Sequence, residues 1–150
     1  MRKYISLSEP IYDEISNKVY KSYPNSCITW IEEINNNSLL QRFNKEVKNH
    51  PSYKLLKLFH GTSHDLIDTI CYEGFKSEYN KVSAYGKGTY FSTSALYSSA
   101  YMKSTEYNGI SYMFYCDVLT HRINNNNIYA ILNNNHCVPK YVIAFYKNAN

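Results

Sequence analysis

The sequence predicts an α+β fold: two helices around one strand, then many short strands joined by small helices, with a mainly antiparallel sheet. Three observations predict it. Apolar residues recur at helical spacing early in the chain (Ile11, Ile15, Val19; then Leu39, Leu40, Phe43, Val47). Residues 111–120 instead alternate, with Phe114, Cys116 and Val118 on one face and Met113, Tyr115 and Asp117 on the other. Turns and stops such as Tyr23-Pro24-Asn25, His50-Pro51 and Gly74 separate the elements, which leaves many short strands with small helices between them. At 150 residues the chain is most simply one domain, 1–150.

The elements follow in order. Ser8 is expected to cap the first helix, with Pro10 in its first turn, and Tyr23-Pro24-Asn25 ends it. Cys27 to Ile34 alternates and reads as a strand. Asn35 to Asn37 makes a turn, and Ser38 is expected to cap the second helix, which His50-Pro51 stops. Tyr53 to His60 reads as a strand. A short helix then begins at Ser63 or Asp65, carries Leu66, Ile67 and Ile70, and closes on Gly74 with Phe75 just beyond. Residues 76–85 form a polar loop, Thr89 to Phe91 a strand, and Thr93 or Ser94 caps a helix to Met102. Strands are expected at Ser111–Thr120, Ile128–Leu132 and Tyr141–Tyr146, with loops at 124–127 and 133–137. The asparagine runs sit in turns, where Asn tolerates left-handed geometry.

Composition narrows the function. A net charge of +4, mostly from lysine, favours an anionic ligand but is too diffuse to name nucleic acid. The 17 tyrosines supply flat amphipathic faces suited to stacking on rings. Cys27, Cys71, Cys116 and Cys137 form no C-x-x-C pair and have no histidine at zinc spacing, so they are expected as free thiols and no metal site is expected. His50, His64, His121 and His136 read as scattered surface residues. Asp65, Asp68, Glu73 and Glu78 form no evident acid pair, which removes support for hydrolysis by paired carboxylates. The first fifteen residues lack a signal-peptide core, and no segment is long and apolar enough to span a bilayer. The expected location is the cytoplasm, or the nucleus by diffusion, with no membrane partner.

Three separated stretches carry the chemistry. They are Leu58-Phe59-His60-Gly61-Thr62; Ala84-Tyr85-Gly86-Lys87-Gly88-Thr89-Tyr90-Phe91 continuing to Tyr101; and Asn127 to Leu132 with Val138-Pro139-Lys140-Tyr141 beyond. Together they resemble the catalytic domain of the poly(ADP-ribose) polymerase family, the diphtheria-toxin-like ADP-ribosyltransferases, in its mono-ADP-ribosylating branch. The resemblance runs from about Trp30 to Tyr146, and its most specific part is YGKGTYF…YSSAY. It implies the split-sheet ADP-ribosyltransferase fold in a minimal version. It also implies NAD+ as co-substrate and a His-Tyr-hydrophobic motif at His60, Tyr90 and Ile128.

On that resemblance His60 hydrogen-bonds the adenosine ribose, Gly61 presents its backbone to the nicotinamide carboxamide, and Thr62 contacts a ribose. Tyr85 joins the NAD+ site. Tyr90 and Tyr101 clamp the nicotinamide ring, and Ser98 bonds its carboxamide oxygen. A glutamate at the third position would activate a growing polymer; Ile128 cannot, so a single transfer to an acceptor, expected to be a protein side chain, is implied. Two departures stand out. Only His121 to Asn127 remain where the family carries a long insertion on the acceptor side, and this chain has no counterpart of the polymerase regulatory helical domain. Two alternatives keep the fold: transfer to a nucleic-acid end, or a catalytically silent NAD+ or ADP-ribose binding module. The residues say nothing of oligomeric state.

Overall fold

The strand that alternates most clearly, β5 (Ile110–Thr120), lies at the centre of the sheet. It pairs antiparallel with β3 (Lys54–Thr62) on one side and β7 (Cys137–Tyr146) on the other. The computed structural model describes residues 1–79, 86–103, 108–122 and 126–146. Beyond β7 lie β2 (Ile28–Ile34) and β1 (Arg2–Tyr4); beyond β3 lie β4 (Thr89–Ser92) and β6 (Ile128–Ile131). The seven strands run in the order β1-β2-β7-β5-β3-β4-β6, and every paired neighbour is antiparallel.

Both faces of the sheet are covered, which is why β5 is apolar on both. Phe114, Cys116 and Val118 join Leu58, Phe75, Phe91 and Val142 in one core, together with Ile67 and Cys71 of α3 (Ile67–Glu73). Met113 and Tyr115 join Phe59 and Ile143 in the other. There α1 (Pro10–Ser22) contributes Ile15 and Val19, and α4 (Ala95–Ser99) contributes Ala95. Full burial of Ile15 and Val19 contributes about 1.5–3 kcal/mol each. A smaller cluster seats α2 (Asn37–Asn49) by Leu39 and Phe43 against Leu119 and Val138.

Several boundaries differ from those the sequence predicts. The first helix has Glu9 at its N-cap, not Ser8, with the Glu9 carboxylate reaching back to the Ser6 amide at 2.6 Å. The second is capped by Asn36, whose Oδ1 accepts from Leu39 N and whose Nδ2 donates to the carbonyls of Cys71 and Tyr72. One asparagine of the run therefore ties two helices together. The stretch after Ser63 opens as a 3₁₀ turn, His64–Leu66, before α3, and α3 closes as expected on Gly74 at φ 79°. The helix α4 is shorter than expected, though Ser94 caps it through Tyr97 N. The last strand begins at Cys137, and Pro139 lies inside it. The β2 ladder stops at Tyr141 and the β5 register shifts between Tyr115 and Cys116, so the missing proline N–H costs no ladder bond to β2. The four cysteines are free thiols, with Cys71, Cys116 and Cys137 buried. Among the described residues no helix is long and apolar enough to cross a membrane.

Candidate active site

The sheet has one weak seam. The ladder between β3 and β4 is a single pair, Phe59 opposite Ser92, whereas β3 and β5 stay paired over the whole of β3. His60, the next residue on β3, fills the place where the strands part. Its Nδ1 lies 2.6 Å from the carbonyl oxygen of Tyr90, and its ring packs edge-on to Phe75 and tilted against Phe91. A carbonyl only accepts, so Nδ1 carries the proton and Nε2 keeps a bare lone pair. Loss of solvent around the ring outweighs that hydrogen bond and pushes the imidazole down to about 4. His60 is thus neutral near pH 7, with an acceptor to spare and no positive charge to offer.

Gly61 follows because nothing larger fits. A Cβ at this position would sit 1.8 Å from the backbone oxygen of Ser98 and 3.3 Å from Cβ of Tyr101. The strand β3 therefore lies directly on α4. Ser98 is buried, and its hydroxyl donates to the Phe59 carbonyl at 3.2 Å. Tyr101, half-exposed, places its hydroxyl 3.2 Å from that of Tyr97. Thr62 ends β3 and is buried. The seam thus gathers His60, Gly61, Ser98 and Tyr101 on one side.

Tyr90 comes from the other side, and its hydroxyl donates to the carbonyl of Gly86. Gly86 (φ 92°) and Gly88 (φ 144°) make that return possible; a Cβ on Gly88 would come within 2.9 Å of the Ile131 carbonyl oxygen. In the β4–β6 ladder Tyr90 pairs with Ala130 and Ser92 with Ile128. Tyr90 and Ile128 therefore share one face of this two-stranded layer, while Phe91, Tyr129 and Ile131 turn into the core. Tyr85 lies outside the described residues.

Beside Ile128 opens a cavity of about 870 Å³ between β6, the end of β5 and Tyr53. Lys87, His121, Arg122 and His136 line it, and its described lining includes no carboxylate. Sequence reasoning missed this cationic wall, because Lys87 and Arg122 are 35 residues apart and neither belongs to a basic run. It also set the histidines apart as scattered surface groups. In the structure Tyr53 stacks on His50 at 4.4 Å between ring centres and lies 5.0 Å from His121 and 6.0 Å from His136. Glu46, His50 and His136 bring three ligand-capable atoms within 4.8 Å of one another. They converge because α2 docks on the 3₁₀ turn Asn134–His136, a long-range contact that no local pattern announces.

An antiparallel sheet opened at one seam, with small helices on its faces, is the small α+β fold of an ADP-ribosyltransferase. The chain belongs to the poly(ADP-ribose) polymerase catalytic domain family, which it matches over residues 11–125. That match ends just before Ile128. The chain is 33% identical over 100 residues to the human protein mono-ADP-ribosyltransferase PARP11, covering 61% of this chain and 30% of that protein. It is 31% identical over 121 residues to human protein mono-ADP-ribosyltransferase PARP14, covering 75% of this chain and 7% of that one. Against mouse protein mono-ADP-ribosyltransferase PARP12 the identity is 30% over 123 residues, or 73% and 16%. The chain thus spans less than a third of the length of these curated relatives.

Proposed function

We propose that the chain is an NAD+-dependent mono-ADP-ribosyltransferase, moving one ADP-ribose to an acceptor side chain of a protein with release of nicotinamide. The observation that carries this reading is the seam itself, where a neutral His60, held through Tyr90, leaves Nε2 free to accept from a ribose hydroxyl. NAD+ supplies the chemistry: its nicotinamide–ribose bond breaks as positive charge develops on the ribose. The protein's part is positioning and electrostatics. Gly61 lets the β3 backbone lie directly on α4, beside Tyr101. Tyr90 and Tyr101 offer ring faces for the nicotinamide, and Ser98 can turn its hydroxyl from Phe59 to a carboxamide. Ile128, on the face it shares with Tyr90, has no group that could activate a second ADP-ribose, which supports a single transfer. Incubation with NAD+ labelled in the ADP-ribose moiety tests this. Transfer of single labelled units with nicotinamide release is expected. Absence of both would overturn the assignment, and polymer formation would overturn the single transfer.

A second reading, transfer to a phosphorylated nucleic-acid end, rests on the cavity beside Ile128. Lys87, His121 and Arg122 are exposed there and the described lining holds no carboxylate, although Glu78 lies close enough to Lys87 to feel its charge, so the wall suits an anionic acceptor. Label appearing on a 5′- or 3′-phosphorylated oligonucleotide, and not on lysate proteins, would decide for it.

A further inference from the structure

We propose that Glu46, His50 and His136 form a binding site for a divalent transition-metal ion of the zinc class, separate from the NAD+ cleft. Oε2 of Glu46 lies 3.3 Å from Nε2 of His50 and 3.4 Å from Nε2 of His136. Zinc–ligand bonds of about 2.0–2.1 Å at tetrahedral angles set neighbouring donor atoms about 3.3–3.4 Å apart. Each imidazole nitrogen thus stands at a tetrahedral edge length from one shared carboxylate oxygen, and the two nitrogens lie within 4.8 Å of each other. Two histidines and one glutamate fill three positions and leave the fourth for water or an incoming ligand.

The scaffold holds these groups before any ion arrives. Glu46 and His50 are one turn apart at the end of α2, and the His50 amide bonds back to the Glu46 carbonyl at 3.0 Å. Tyr53 N closes a turn onto the His50 carbonyl at 3.0 Å, with Pro51 inside it. The same turn lays the Tyr53 ring on the imidazole and fixes its plane. His136 closes a 3₁₀ turn capped by Asn133, whose Oδ1 accepts from Asn135 N, and the His136 amide bonds the Asn133 carbonyl at 2.9 Å. Leu39 and Phe43 seat α2 on Leu119 and Val138, so the two halves of the site are joined by a packed core. All three ligands are half-buried, which leaves an entry path.

The placement gives the ion a structural consequence. The turn carrying His136 follows β6 directly, and His136 also lines the cavity beside Ile128. An ion bound there pins the exit of the third-motif strand to α2 and steadies one wall of that cavity.

The test is titration of chelator-treated protein with Zn2+, and separately with Co2+, whose four-coordinate complexes absorb strongly in the visible. One equivalent is expected to bind. At a hundredfold excess over Kd, Zn2+ should raise Tm by about 5–10 °C. Glu46→Gln, which keeps the side chain's shape, and His136→Gln should each weaken binding by about tenfold or more while leaving the metal-free Tm within a few degrees. If His136→Gln fails to fold, Glu46→Gln carries the comparison alone. Lack of stoichiometric binding overturns the site. So does binding that survives Glu46→Gln, or that disappears with Cys27→Ser, the one exposed thiol among the four cysteines.

Discussion

The two sides of the seam are built in opposite ways. On the β3 side the candidate residues are locked. His60 is held between aromatic rings and a carbonyl, Gly61 is pressed on Ser98, and Ser98 is bonded to Phe59. On the β6 side Ile128 borders an open cavity with lysine, arginine and histidine on its wall. Half of the site tolerates almost no change of shape, and the other half meets solvent. The difference matches the division of labour proposed above. A bent dinucleotide demands fixed geometry, whereas acceptors vary, and variation is absorbed on the exposed side.

The contrast is open to breaking, and the strongest blow falls on Gly61. Gly61→Val must displace the α4 backbone, so a loss of about 3 kcal/mol or more is expected in a denaturant titration, with no transfer activity left. Wild-type stability in that variant would show that β3 and α4 are not the rigid pair described. His60→Ala comes next. It empties a place between Phe75 and Phe91 and removes the Nδ1–H donated to the Tyr90 carbonyl, at about 2–3 kcal/mol. His60→Gln, which can still donate, should recover part of that stability.

The same histidine predicts a pH dependence. Its folded value, about 4, lies below the unfolded value of about 6.5, so the unfolded chain takes the proton first as pH falls. Above pH 6.5 both states are neutral and nothing is lost. Between about 6.5 and 4 stability should fall with pH, by up to about 3 kcal/mol in all, and then level off in this contribution. Thermal melts across that window should show the slope in wild type and a shallower one in His60→Gln. The smallest effects belong to the open side. Lys87→Gln and Arg122→Gln should each change stability by less than about 0.5 kcal/mol. They should lower the rate of transfer to an acidic or phosphorylated acceptor more than to a neutral one, and weaken its salt dependence. A large loss of stability in either would mean that the cationic wall is part of the frame.

Much of this contrast was legible in the residues, and the illegible part has physical reasons. The two-faced alternation of β5 and the Gly74–Phe75 helix stop depend on neighbours in sequence, and both stand as read. The edge strand Arg2–Tyr4 carries no apolar pattern because all three of its residues are exposed, so nothing local marked it as a strand. The sequence predicts the last strand only from Tyr141, and the register shift opposite Cys116 shows how β7 accommodates Pro139 and starts at Cys137. Within the site, the family resemblance led to His60, Tyr90 and Ile128, but the link between the first two runs through a backbone carbonyl, which has no letter in the sequence. The meeting of Glu46, His50 and His136 depends on how α2 docks, a matter of tertiary packing alone.

One consequence of the single-pair ladder between β3 and β4 concerns how the molecule breathes. The β4–β6 layer meets β3 at the Phe59–Ser92 pair and the His60–Tyr90 bond, and Phe91, Tyr129 and Ile131 anchor it in the shared core. The β4 amides are therefore expected to exchange faster than those of the doubly paired β5, without the layer leaving the core. The imidazole joins the two strands at the place where their ladder ends. A ligand that engages Nε2 is therefore expected to slow amide exchange in the strand carrying Tyr90.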